Sequence, residues 1–131
     1  MTAKTVAEKL LIKPGITVWA SDFSRLEVVG PLPGGVHRVE GLADAEAGVV
    51  FADDAASLRA ILEVHAGELA APSVLWVAYP KGNRADINRD TLWPILGEYG
   101  MRPITQVSID EVWSALRFRP LREGEAPFSP G

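Results

Sequence analysis

Ser73-Val74-Leu75-Trp76-Val77-Ala78-Tyr79-Pro80 is apolar almost throughout and rich in β-branched and aromatic residues. It is too short for an independent helix. Pro72 precedes it, and Lys81-Gly82-Asn83 follows it as a turn. A run of this kind reads as a strand buried on both faces, the central strand of a mostly parallel sheet.

The pattern extends outward on both sides. Upstream, residues 49–52 predict a second buried strand, and residues 55–70 the clearest helix. Leu58, Ile61, Leu62, His65 and Leu69 fall on one stripe of that helix, which makes His65 a packed core histidine. Asp53 and Asp54 stand where an N-cap and a first-turn acid are wanted. Farther upstream come a strand at 16–20 containing Trp19, a short helix at 23–29, a Gly/Pro loop at 30–35 and a short edge strand at 36–40. A helix over 2–12 opens the chain and stops at Lys13-Pro14-Gly15.

Downstream, residues 80–86 form a polar loop and residues 88–99 a helix. Pro94 inside that helix predicts a kink or a later start. Residues 102–109 and 112–118 read as an antiparallel pair joined at Asp110-Glu111. Residues 1–119 are thus expected to form a single α/β domain, with 120–131 a flexible tail. Strands alternating with helices imply helices on both faces of the sheet and right-handed crossovers.

The composition is ordinary for a globular chain of 131 residues, at 47% hydrophobic and 23% charged. There is no cysteine, which removes disulfides, thiolate nucleophiles and Cys-based zinc sites. The net charge of −4 offers no general attraction to nucleic acid or anionic membrane. No stretch reaches the roughly 18 apolar residues of a membrane span, and no signal-peptide core is seen at the N-terminus. The expectation is a cytoplasmic protein without membrane or nucleic-acid partners. Charge is uneven: seven acids against one base between Glu40 and Glu68, but seven bases against five acids between Lys81 and Arg122.

In an open α/β sheet, ligands gather at the carboxyl ends of the strands. That edge carries Ser21, Asp22, Glu40, Asp53, Asp54, Tyr79, Lys81, Asn83 and Arg84 as candidate ligand-binding residues. Asp22, Asp53 and Asp54 would face Lys81 and Arg84 across a small-molecule pocket, or would simply cap helices. Neither His37 nor His65 has metal-ligand spacing, and no metal site is expected. Trp113, Arg117 and Arg119 share a face of the last strand, an arrangement that can stack bases or meet a protein partner. The P-loop, G-x-S-x-G, H-E-x-x-H and G-x-G-x-x-G patterns are all absent.

The order of elements resembles a shortened class I methyltransferase, a three-layer Rossmann-like sheet closed by an antiparallel hairpin. Leu11-Ile12-Lys13-Pro14-Gly15-Ile16-Thr17-Val18, the run from Pro72 to Pro80, and the hairpin from Gly100 to Arg119 carry the likeness. It implies that the last strand lies between its two neighbours, and that one βα unit is missing between Glu40 and Val49. More narrowly, Ile12-Lys13-Pro14-Gly15, Gly30-Pro31-Leu32-Pro33, Leu75-Trp76-Val77-Ala78-Tyr79-Pro80-Lys81 and Trp113-Ser114-Ala115-Leu116-Arg117-Phe118 resemble a family of short bacterial proteins, a domain of unknown function. That likeness implies no activity.

Methyltransferases carry an acid and a glycine-rich turn after the first strand, where the backbone approaches the cofactor. Here the turn is Ala20-Ser21-Asp22-Phe23-Ser24-Arg25, without glycine, and Phe23 is expected to fill the cofactor's place. Glu40 could still hold a ribose hydroxyl. No cofactor is expected on this reading, S-adenosylmethionine included. The first functional expectation is a non-enzymatic binding or regulatory module on a degenerate methyltransferase-like scaffold, with a small molecule or a protein as partner. The alternative is an enzyme acting on a small phosphorylated or carboxylated metabolite at the same edge. A homo-oligomer using the surface around Trp113 and Arg117 is the third.

Overall fold

The computed structural model describes residues 5–82 and 85–125. Six strands form one sheet: β1 (Thr17–Ala20), β2 (His37–Arg38), β3 (Ala47–Phe51), β4 (Val74–Pro80), β5 (Met101–Ser108) and β6 (Trp113–Pro120). Their spatial order is β2-β1-β3-β4-β6-β5. The first four are mutually parallel, and β6 runs antiparallel between β4 and β5. The expected α/β sheet with its closing hairpin is therefore present, with the last strand inserted as anticipated.

β4 is interior, and its side chains divide between two cores by strand alternation. Leu75, Val77 and Tyr79 enter the core beneath α2 (Ala55–Val64) and α3 (Arg89–Gly97). Trp76 and Ala78 enter the opposite core, with Ala7 and Leu10 of the N-terminal segment and Leu26 and Val29. Trp76 is fully buried, and its indole Nε1–H donates to the Leu10 carbonyl at 2.8 Å. This hydrogen bond ties the chain just after α1 (Val6–Lys9) to the sheet.

Several elements are shorter than the pattern suggests. Among the described residues the first helix is a single turn, capped by the Thr5 side chain, which accepts from the Glu8 N–H. The helix expected at 23–29 is a 3₁₀ segment, Arg25–Val29, ended by Gly30 at φ 85°. β2 has two residues, both exposed, so no core face rewards a longer strand. α2 ends at Val64 rather than Ala70, where His65 adopts a non-helical conformation and a 3₁₀ turn follows. His65 is half-buried, its ring edge-on to Trp19 at 4.8 Å and its Nδ1 3.0 Å from Glu68.

α3 starts where Asn88 caps it, despite Pro94. The Asn88 side chain accepts from the N–H groups of Asp90 and Thr91, and the Thr91 hydroxyl accepts from the Asn88 N–H. This reciprocal box fixes the first turn strongly enough that no later start is needed. Two side-chain links join the helices: Arg59 to Glu98 at 2.8 Å and the Tyr99 hydroxyl to Glu63 at 2.7 Å.

β5 contains an irregularity. Pro103 pairs with Phe118, but Gln106 pairs with Leu116. Three residues on β5 thus span two on β6, so one extra residue is inserted at Ile104-Thr105. The insertion reverses the alternation. Gln106 and Ser108 consequently share the face of Leu116 and Ser114, while Val107 turns to the opposite core.

Arg119 and Pro120 complete β6, although the strand was expected to end at residue 118 and Pro120 to belong to the tail. Beyond them, Glu125 accepts from Arg102 (2.7 Å), from both Arg119 nitrogens (2.9 and 2.7 Å) and from the Arg122 N–H (2.9 Å). These donors, Arg119 first, hold its carboxyl well below the usual carboxylate range. A lowered folded-state pKa contributes stability that is full above the unfolded value of about 4.3 and fades as pH falls below it. Glu125→Gln should therefore flatten the acid side of the stability profile. Thermal midpoints followed from pH 6 to pH 3 would check this. Parallel declines in wild type and variant would mean that the clamp contributes nothing.

Candidate functional site

The carboxyl ends of the strands place the expected residues in two groups. The first lies at the turn after β1. The Ser21 hydroxyl accepts from the Phe51 N–H at 2.8 Å, stitching the turn to β3. Asp22 accepts from the Ser24 N–H and hydroxyl, and these bonds, with Arg25 nearby, lower its pKa. Arg25 reaches Asp53 at 2.8 Å and Asp22 at 3.5 Å, and its guanidinium lies 5.4 Å from the centre of the Trp113 ring. Its pKa is raised, chiefly by the Asp53 hydrogen bond. Phe23 packs against the core, and Arg38 lies over its ring at 5.6 Å.

The remaining acids of the expected set form no bond to Lys81 among the described residues. Asp54 caps α2, accepting from the Ser57 N–H at 2.7 Å while the Ser57 hydroxyl accepts in return. The Ala55 N–H is taken by Asp86 at 2.7 Å. Glu40 is exposed just beyond β2. Asn83 and Arg84 lie outside the described residues. The structure thus brings Asp22 and Asp53 together through Arg25, not through Lys81. Trp113 packs edge-on against Phe51 at 5.6 Å and beneath Arg25, and Arg119 is engaged by Glu125, so these groups do not form an open stacking platform.

The second group lines a hollow of about 530 Å³ between the start of α3 and the end of the hairpin. Tyr79 and Lys81 of the expected set reach it from β4. Arg89, Gln106, Ser108 and Ser114 complete its polar wall and were not singled out by the sequence reading. Lys81 Nζ donates to the Ser108 hydroxyl. Gln106 Nε2 donates to the Tyr79 hydroxyl at 2.8 Å and to the Ser114 hydroxyl at 3.1 Å. Ser114 in turn donates to the Val107 carbonyl at 3.3 Å, so its oxygen must accept from Gln106, which fixes the amide's orientation. Tyr79 and Ser114 are only 4% and 3% exposed, so this polar row is rigidly seated. Among the described residues no carboxylate lines the hollow, and neither Lys81 nor Arg89 has an ion-pair partner.

The sequence matches no family model and no curated protein. Solved structures are similar in fold. A protein of the NADB-Rossmann superfamily from Streptococcus agalactiae superposes with a TM-score of 0.58 at 9% identity, over 98% of this chain and 72% of that one. A putative tRNA (m1A22) methyltransferase from Streptococcus pneumoniae gives 0.57 at 15% identity, over 98% and 73%. Magnesium protoporphyrin IX methyltransferase from Synechocystis, solved with bound SAH, gives 0.50 at 9% identity, over 88% and 79%. The fold is Rossmann-like, of the methyltransferase kind.

These neighbours correct the expectation that no cofactor is used and that S-adenosylmethionine is not a ligand. The Streptococcus pneumoniae protein has also been solved in complex with S-adenosyl-L-methionine, and the Synechocystis enzyme holds SAH. The shared fold therefore accommodates S-adenosyl compounds in these neighbours, against the expectation of no cofactor. In the arrangement described, the turn after β1 is filled by Phe23 and by the Arg25–Asp53 bridge. No helix among the described residues is long and apolar enough to cross a membrane.

Proposed function

We propose that this chain is a small binding or regulatory module that holds an anionic group in the hollow at the end of β4, without itself catalysing a reaction. One observation carries the reading: Lys81 and Arg89 line a single hollow that contains no carboxylate among the described residues. Two cations beside a seated row of hydroxyls and an amide suit a phosphate or carboxylate, which accepts charge-assisted hydrogen bonds. Among the described residues the same lining contains neither a carboxylate nor an imidazole.

Titration with inorganic phosphate, followed by amide chemical shifts, tests the reading. Saturable shifts at Tyr79, Lys81 and Ser108 are expected. Lys81→Ala and Arg89→Ala should each weaken binding about tenfold or more, the worth of one charge-assisted hydrogen bond. Absence of saturation, or variants that bind as wild type does, would overturn it.

A second reading, methyl transfer from S-adenosylmethionine, is supported by the fold neighbours solved with S-adenosyl compounds. It predicts SAH binding that Glu40→Ala abolishes and that Arg25→Ala strengthens by freeing the turn. SAH binding indifferent to both substitutions would count against that turn as the site.

A further inference from the structure

The anion hollow does not end at Gln106. A second hollow of about 370 Å³ opens beside it, and Arg89 and Gln106 line both. Trp93, Pro103, Ile104 and Leu116 give the second hollow an aromatic and aliphatic wall, which Asp90 and Thr105 complete, and Ile104 is 46% exposed. Either volume falls within the range of small-molecule sites, and a ligand spanning both would meet cations at one end and an aromatic wall at the other.

The bulge in β5 creates this pairing. Without the extra residue at Ile104-Thr105, Gln106 would fall opposite Ala115 and face the other core. With it, Gln106 stands at the junction of the two hollows. Both Gln106 N–H groups are committed, to the Tyr79 and Ser114 hydroxyls. Its Oε1 receives no hydrogen bond from the described residues and is held in place by the two bonds made by Nε2. The junction therefore presents an acceptor with Lys81 on one side, Trp93, Ile104 and Asp90 on the other, and Arg89 lining both.

We infer that the two hollows form one site for a nucleotide whose base carries an exocyclic amine. Its phosphate would lie at Lys81 and Arg89, its base against Trp93 and Ile104, and its amine would donate to Gln106 Oε1. The inference deepens the anion-binding reading and rests on it. A ring against Trp93 adds stacking and apolar burial that free phosphate lacks. An acceptor at the junction discriminates against bases that present a carbonyl there, because two acceptors would then face each other.

Calorimetric titration of the whole chain with adenosine monophosphate, inosine monophosphate, adenosine and inorganic phosphate separates the parts. Adenosine monophosphate should bind at least tenfold more tightly than phosphate and about tenfold more tightly than inosine monophosphate. Trp93→Ala should bring the nucleotide close to phosphate while leaving phosphate binding unchanged. Ile104→Ala, at an exposed position, provides the same comparison should Trp93→Ala fail to fold. Gln106→Ala should erase the preference for the amine over the carbonyl base.

Phosphate and adenosine monophosphate binding equally would overturn the nucleotide inference and leave the anion site standing. No binding of either would overturn both. Adenosine binding as tightly as its monophosphate would place the base site apart from Lys81 and Arg89, and overturn the inference as stated.

Discussion

Replacing Trp76 with alanine is expected to cost about 3–5 kcal/mol of folding stability, the range for removing a large aromatic side chain from a packed core. The indole is fully buried at the centre of the sheet and forms a hydrogen bond from one face of β4 to the chain after α1. Its loss opens a cavity and leaves the Leu10 carbonyl without its donor. Domains of this size are stable by about 5–15 kcal/mol, so the variant should lie near its unfolding threshold. Trp76→Phe divides the two contributions in part, because it keeps an aromatic ring in the core and removes the donor with a smaller loss of volume. That change should cost about 1–3 kcal/mol if the carbonyl stays buried. Urea midpoints of the three proteins give the comparison. A loss below about 1 kcal/mol for the alanine variant would show that this core repacks around the gap.

Gly48→Val should be nearly as damaging for the opposite reason. Gly48 lies on β3 between Trp19 of β1 and Leu75 of β4. A Cβ at this position would meet Leu42 Cδ1 at 2.7 Å and Leu75 Cδ1 at 3.3 Å. Both leucines are at most 1% exposed, so neither has solvent to move into. Overpacking of this kind costs about 1–3 kcal/mol, and valine's two branches place it at the upper end. Leu42→Ala in the same chain vacates the space, so the double variant should lose less than the sum of the two single ones. Simple additivity in denaturant unfolding would show that the strain is carried elsewhere.

The parts of the fold legible in the sequence are those encoded locally. The run around Trp76 announces a buried strand because every position is compatible with one. The stripe from Leu58 to Leu69 announces α2, and the paired patterns after Gly100 announce the hairpin. Boundaries were less legible where tertiary context decides: β2 stays short because nothing buries it, and α2 ends where His65 turns aside to meet Trp19. Of the candidate site, Tyr79 and Lys81 could be placed at the strand end from their position alone. Arg89, Gln106 and Ser108 could not, because their inclusion depends on one inserted residue in β5 and on which side of the sheet α3 docks. Nor could Asp53's partner be read, since Arg25 lies on a different element and reaches it across β1 and β3. No spacing rule encodes such a pair.

The same inserted residue has a consequence for how copies of the chain meet. A sheet that ends in a long regular strand is a template onto which another molecule can add its own. This sheet ends in β2, two residues long, and in β5, where Pro103 lacks an N–H and the ladder loses its register directly after it. Neither margin offers an unbroken row of donors and acceptors, so growth edge to edge is blocked on both sides. Both margins thus work against pairing with a further strand.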